Sequence, residues 1–146
     1  MEPLHRLRNL KSLGDVEMMN FLRGCLVDSK SPDPSVETLL HAFLPHRFVD
    51  HTHADAILTL TNMPGGEGRL RDLFGRRVAF VPYVMPGFEL AKLCATCFER
   101  DPDVEGMILI KHGIFSFGDS ALESYTRMID LVETAEKYIE SELMAH

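Results

Sequence analysis

Histidines at positions 51, 53 and 112 are the residues of this chain best suited to chemistry. Two of them stand in His51-Thr52-His53, directly after Arg47-Phe48-Val49-Asp50, a run that reads as extended. Alternate side chains of a strand share a face, so His51 and His53 project together, spaced to grip one ion, while Asp50 turns the other way. His112 lies in Ile110-Lys111-His112-Gly113, where the strand-like stretch 106–110 ends. Three imidazoles with an open fourth position make a catalytic zinc arrangement, whereas a closed structural site takes a fourth protein ligand. Spacing alone leaves two readings open, a metal site and histidines that simply bond to backbone.

Other clusters are weaker. Cys94 and Cys97 form a C-x-x-C, but it falls inside the amphipathic stretch 88–98 and has no second pair to complete a zinc knot. Both thiols lie on the apolar face, where free cysteine acts as a small hydrophobe. Gly65, Gly66 and Gly68 resemble a phosphate loop only in glycine content, since no Lys-Ser/Thr follows. A flexible turn over 63–68 is the expectation. His41, four residues after Glu37, reads as structural or as support for a ligand, and His5 and His46 read as surface residues. Asp55 opens the helix that follows the histidine pair.

The elements that must position these residues follow from periodicity and breakers. A helix is expected over 15–27, with Val16, Met19, Phe21, Leu22 and Leu26 as its apolar stripe. The Ser31-Pro32-Asp33-Pro34 stretch breaks it. Asp33 is placed to cap the next helix, with Pro34 at its first position and Glu37 in its first turn. Strands are expected over 48–53 and 77–81, and helices over 54–60 and 88–99, with one helical turn at 70–74. Strands over 107–110 and 114–117 form an antiparallel hairpin through Lys111-His112-Gly113. A final helix starts at Ser120, with Glu123 completing a capping box. Its expected stripe is Leu122, Tyr125, Ile129, Val132, Ala135 or Glu136, Ile139 and Leu143. Helices interspersed with strands point to an α/β sandwich around a mixed, largely antiparallel sheet.

Composition narrows the function. The net charge is −7 and the basic residues are scattered, against a nucleic-acid partner. No apolar run is long enough to span a bilayer, and no signal segment opens the chain, so a cytoplasmic protein without a membrane partner is expected. Three cysteines, an odd number, read as reduced thiols. A length of 146 residues reads as one domain, 1–146.

The segment Pro34-Ser35-Val36-Glu37-Thr38-Leu39-Leu40-His41, then His51-Thr52-His53-Ala54-Asp55-Ala56, then Val81-Pro82-Tyr83 and Lys111-His112-Gly113-Ile114-Phe115-Ser116-Phe117-Gly118, resembles the class II aldolase/adducin family. The likeness is strongest to the rhamnulose-phosphate-aldolase-like part of bifunctional aldolase/short-chain dehydrogenase proteins. The resemblance implies a layered α/β/α fold, a homo-oligomer and a zinc or other divalent ion on His51, His53 and His112. It implies cleavage of a sugar phosphate, a ketose 1-phosphate, to dihydroxyacetone phosphate and an aldehyde. It makes Glu37 the general acid/base, although read alone Glu37 is a helix-start glutamate, and it places Ser35 near the substrate phosphate. The same metal site would serve a sugar-phosphate 4-epimerase or decarboxylase. The adducin branch offers a non-catalytic assembly module, which has no need of an open metal site. The family's usual Gly-Asn-x-Ser region has no counterpart here. The sequence is therefore expected to be a partial domain, truncated at its N-terminal side, with weak or no activity by itself.

Overall fold

In the computed structural model, which describes residues 2–144, the chain forms two compact units. The first holds the chain up to Pro45 together with Val84–Thr96. The second holds His46–Tyr83 and the chain from Cys97 onward.

The first unit is helical. It contains α1 (Glu2–Leu7), α2 (Asp15–Gly24), α3 (Thr38–Phe43) and the start of α6 (Phe88–Arg100). Met18 and Leu22, one turn apart, are the buried residues of α2. The expected stripe of that helix is thus corrected, since Val16 is 75% exposed. The helix beginning expected at Pro34 is also displaced. Ser35 Oγ accepts the Glu37 N–H at 3.1 Å and Ser35 O accepts the Thr38 N–H, so a local turn fills 35–37 and α3 starts at Thr38. Asp33 does not cap it; both carboxylate oxygens take the Arg23 guanidinium, at 2.6 and 2.7 Å. Cys94 is buried and Cys97 half-buried, and burial pushes the Cys97 thiol up, as expected for packing residues.

The second unit carries a four-stranded sheet in the order β1-β4-β3-β2. Its strands are β1 (Phe48–Thr52), β2 (Val78–Val81), β3 (Gly106–Leu109) and β4 (Gly113–Gly118). β4 pairs antiparallel with both neighbours and β2 pairs parallel with β3, giving a mixed sheet. One face is covered by α4 (Asp55–Asn62), α5 (Gly66–Phe74) and α7 (Ala121–Met144), packed through Ile57, Leu60, Leu70, Phe74, Met128 and Leu131 onto Ile108 and Ile114. The turn expected over 63–68 is confined to 63–65, and α5 begins at Gly66. Gly65 takes the left-handed conformation that reverses the chain, and Gly66 lies where a Cβ would sit 1.6 Å from Leu60 O. The glycines there let two helices approach.

The inward face of α7 is Ser124, Met128, Leu131 and Ala135. Of the expected stripe, Ala135 is buried and Val132 and Ile139 pack against the core, while Leu122, Tyr125, Ile129 and Leu143 are exposed. Ser124 stands among the buried residues because its hydroxyl donates to Asp50 on β1 at 2.6 Å, while Ser116 donates to Ser124 O at 2.8 Å. A buried hydroxyl is tolerated when it is bonded. Ser120 Oγ caps the helix by accepting the Glu123 N–H at 3.1 Å. Arg77 ties the ends of β2 and β3 to α7 by reaching Glu105 at 2.8 Å and Asp130. No described helix is long and apolar enough to cross a membrane.

His46, expected at the surface, is half-buried. Its ring stacks on Phe117 at 4.4 Å and meets Phe98 edge-on at 5.1 Å. Nδ1 is buried with no hydrogen-bond partner among the described residues. Burial pushes its pKa below the usual 6.5, although Asp119 and Glu123 oppose that shift. A histidine whose native pKa is depressed stabilises the fold above its unfolded pKa. That contribution drains away as pH falls from 6.5 toward the lower native value. The His46→Phe protein is therefore expected to lose less stability than the parent between pH 7.5 and 5. Urea midpoints at the two pH values check this, and equal losses in both proteins would refute it.

Candidate metal centre

The sheet has two chemically different faces, and register decides which side chains share them. Asp50, Ser116 and Ile114 point toward α7, as their contacts with Ser124 and the apolar cluster show. Their neighbours His51, Phe115 and Phe117 point to the other face. The expectation that Asp50 turns away from the histidines therefore holds. His53 lies one residue beyond the end of β1, and His112 sits in the turn between β3 and β4.

The three imidazoles meet on that second face. Ring centroids are 4.7 Å apart for His51 and His53, 5.3 Å for His51 and His112, and 5.1 Å for His53 and His112. A ring nitrogen of each lies within 4.8 Å of those of the other two. His51 and His112 are half-buried and His53 is exposed.

Backbone chemistry fixes the tautomer of the central ring. His51 Nδ1 lies 2.9 Å from Ile114 O, and a carbonyl can only accept, so Nδ1 carries the proton. In the neutral ring Nε2 then presents its lone pair. This Nε2 is 3.0 Å from His53 Nε2. Two nitrogens at the usual zinc distance and a tetrahedral angle lie about 3.3–3.4 Å apart, so a small ring rotation brings the pair onto an ion. The backbone carbonyl is the kind of outer partner that orients a ligating histidine. The donors are neutral nitrogens, suited to zinc and to other borderline divalent ions. The residues present fit a three-histidine metal centre.

Two supporting residues lie outside the sequence reading. Phe115, the register partner of His51, stacks on it at 4.0 Å and 12°, which fixes the plane of the imidazole. Gly113 leaves the space that the rings occupy. A Cβ there would lie 2.6 Å from Thr52 O, 3.0 Å from His53 Cδ2 and 3.1 Å from His51 Cε1. The signal for both was present in the pairing of β1 with β4, which is invisible until register is known. Gly113→Ala is expected to destabilise the protein by about 1–3 kcal/mol, the usual cost of overpacking, and to weaken zinc binding with it. Thermal unfolding and zinc titration check this; unchanged zinc affinity would show that the rings do not need the gap.

Just before His112, Lys111 has φ 61°. It is the non-glycine residue in the left-handed region among the described residues, in a conformation that costs an L-residue about 1–2 kcal/mol. Glu37 and Ser35 belong to the other unit. Glu37 directly precedes α3 and is half-buried, and Ser35 is exposed.

Comparison with known proteins agrees with this geometry. The family described as the class II aldolase and adducin N-terminal domain matches residues 7–139. A protein of Bacillus subtilis (strain 168), named an uncharacterized oxidoreductase, is 38% identical over the whole chain, which spans 21% of that protein. The structure of an N-terminal class II aldolase domain of a conserved protein from Thermoplasma acidophilum is 40% identical, with a TM-score of 0.87. That match covers 94% of this chain and 63% of that one. A sugar-phosphate aldolase from Thermotoga maritima shares the fold, with a TM-score of 0.66 at 20% identity over 80% of this chain and 57% of its own. With its α/β fold and its three clustered histidines, the chain belongs to the class II aldolase and adducin N-terminal domain family.

Proposed function

We propose that this chain is a zinc-dependent lyase domain of the class II aldolase type, which cleaves a ketose 1-phosphate to dihydroxyacetone phosphate and an aldehyde. The observation that carries the reading is the three-imidazole cluster, anchored by the bond from His51 to Ile114 O. An assembly module has no use for such a cluster. Residues 1–146 are read as one domain, working as a cytoplasmic homo-oligomer with small-molecule substrates only.

His51, His53 and His112 would hold a divalent ion, which would supply Lewis-acid stabilisation of negative charge developing on the substrate. The other tasks fall to the chain itself. The Ile114 carbonyl and the Phe115 ring keep His51 in the ligating tautomer and orientation. Glu37 is assigned, through the family likeness, the proton that moves at the carbon left behind by cleavage. Ser35 is assigned to the substrate phosphate on the same ground.

The test is a panel of ketose 1-phosphates incubated with the zinc-loaded protein, with dihydroxyacetone phosphate release measured by a coupled assay. Release that depends on zinc is expected. Zinc-loaded protein that releases nothing yet epimerises a panel member would move the chemistry to the epimerase alternative. Protein that turns over none of the panel would refute the lyase reading.

A further inference from the structure

We propose that Lys111 is a specificity residue that receives the phosphate of the substrate beside the metal centre. The inference rests on the lyase reading and names a residue that the family likeness does not assign. It starts from the turn that presents His112. The His112 N–H donates to Leu109 O at 3.0 Å, which leaves Ile110 and Lys111 as the central residues of a β-turn. Lys111 takes the second central place with φ 61°. A turn that needs positive φ there normally uses glycine or asparagine. A lysine gives the backbone nothing that glycine would not give more cheaply, so the reason for it lies in the side chain. Strain of this kind clusters at functional sites.

Three further observations give that side chain a task. Lys111 is exposed, and no carboxylate among the described residues pairs with its ammonium. It is covalently adjacent to His112, a member of the histidine cluster, so its flexible four-carbon stem carries a positive charge on the turn that presents that ring. The chain as a whole carries −7, which repels a phosphate ester at long range and leaves attraction to a local cation. Lysine binds phosphate as a point charge, so it tolerates the range of angles that a mobile ester presents.

The experiment compares the parent with Lys111→Gln, Lys111→Gly and Lys111→Arg. Binding of dihydroxyacetone phosphate and of unphosphorylated dihydroxyacetone to the zinc-loaded proteins is measured by calorimetry, alongside zinc content and Tm. All four proteins are expected to hold the same zinc. The glycine variant is expected to show a higher Tm, because its backbone is relaxed. The glutamine and glycine variants are expected to bind dihydroxyacetone phosphate about 10-fold or more weakly. Their binding of dihydroxyacetone should be unchanged, and the arginine variant should bind the phosphate ester within about 3-fold of the parent. A parent that binds the ester and a glutamine variant that binds it equally well overturn the Lys111 assignment alone. Equal weakening toward both compounds also overturns it, since the defect is then not in phosphate recognition. A zinc-loaded parent that binds neither compound overturns the sugar-phosphate reading and this assignment with it.

Discussion

Purified His51→Ala protein is expected to contain almost no zinc, where the parent contains about one ion per chain. His51 is the member of the trio whose tautomer the fold dictates, through Nδ1–H donating to Ile114 O at 2.9 Å. It is also the ring against which both others are set, at 4.7 and 5.3 Å. Loss of an outer partner to a metal ligand typically costs 10–100-fold in affinity, so loss of the ligand itself should cost more than about 100-fold. His112→Ala should behave alike, because removing either leaves two imidazoles. Ligating imidazoles must be neutral, so the parent is also expected to release zinc in acid. Metal analysis after dialysis, backed by circular dichroism to show a retained fold, decides the matter. Full zinc content in both variants would dismiss the site.

The second large effect is on turnover. Glu37→Gln should keep the zinc of the parent while kcat falls by about 100–10,000-fold, the usual contribution of a positioned acid or base. Glutamine preserves shape and a hydrogen-bonding end but cannot take up a proton. The role assigned to Glu37 predicts a split: metal content unmoved, chemistry lost. A variant that turns over at the parental rate would remove Glu37 from the mechanism. One that loses zinc and activity together would make it a metal-site residue instead.

Much of the site was legible because its signal is local. The i, i+2 pair on a strand places two imidazoles on one face by geometry alone, and the His-Gly turn between two apolar runs locates the third. The hairpin of β3 and β4, the Asp50 alternation and the capping of α7 by Ser120 are readable for the same reason. What was not legible depends on partners distant in sequence. The inward face of α7 is hard to read because it includes, beside Met128, Leu131 and Ala135, a polar residue, Ser124. Its burial makes sense only once Asp50 and Ser116 are known to meet it. His46 reads as a surface residue until Phe98 and Phe117, which are remote in sequence, enclose its ring. Helix α5 was hidden by glycines whose usual meaning is a loop, whereas here Gly66 gives way to the Leu60 carbonyl. The start of α3 shifted because the Ser35 hydroxyl offered the backbone a competing bond.

The place of β1 in the sheet has a consequence for how order and occupancy are linked. Among the described residues β1 pairs with β4 alone, so it is held by one ladder of backbone bonds rather than two. Strands of that kind open at lower free energy than central ones. Yet β1 carries His51 and leads directly into His53, while His112 belongs to the hairpin at the centre of the sheet. An ion shared among the three would staple an edge strand to the central hairpin. Fraying at that margin would loosen the grip on the ion, and losing the ion would free the margin to fray. Zinc would then serve this fold as a fastener as well as a reagent, and amide exchange along 48–52 would report on whether the site is filled.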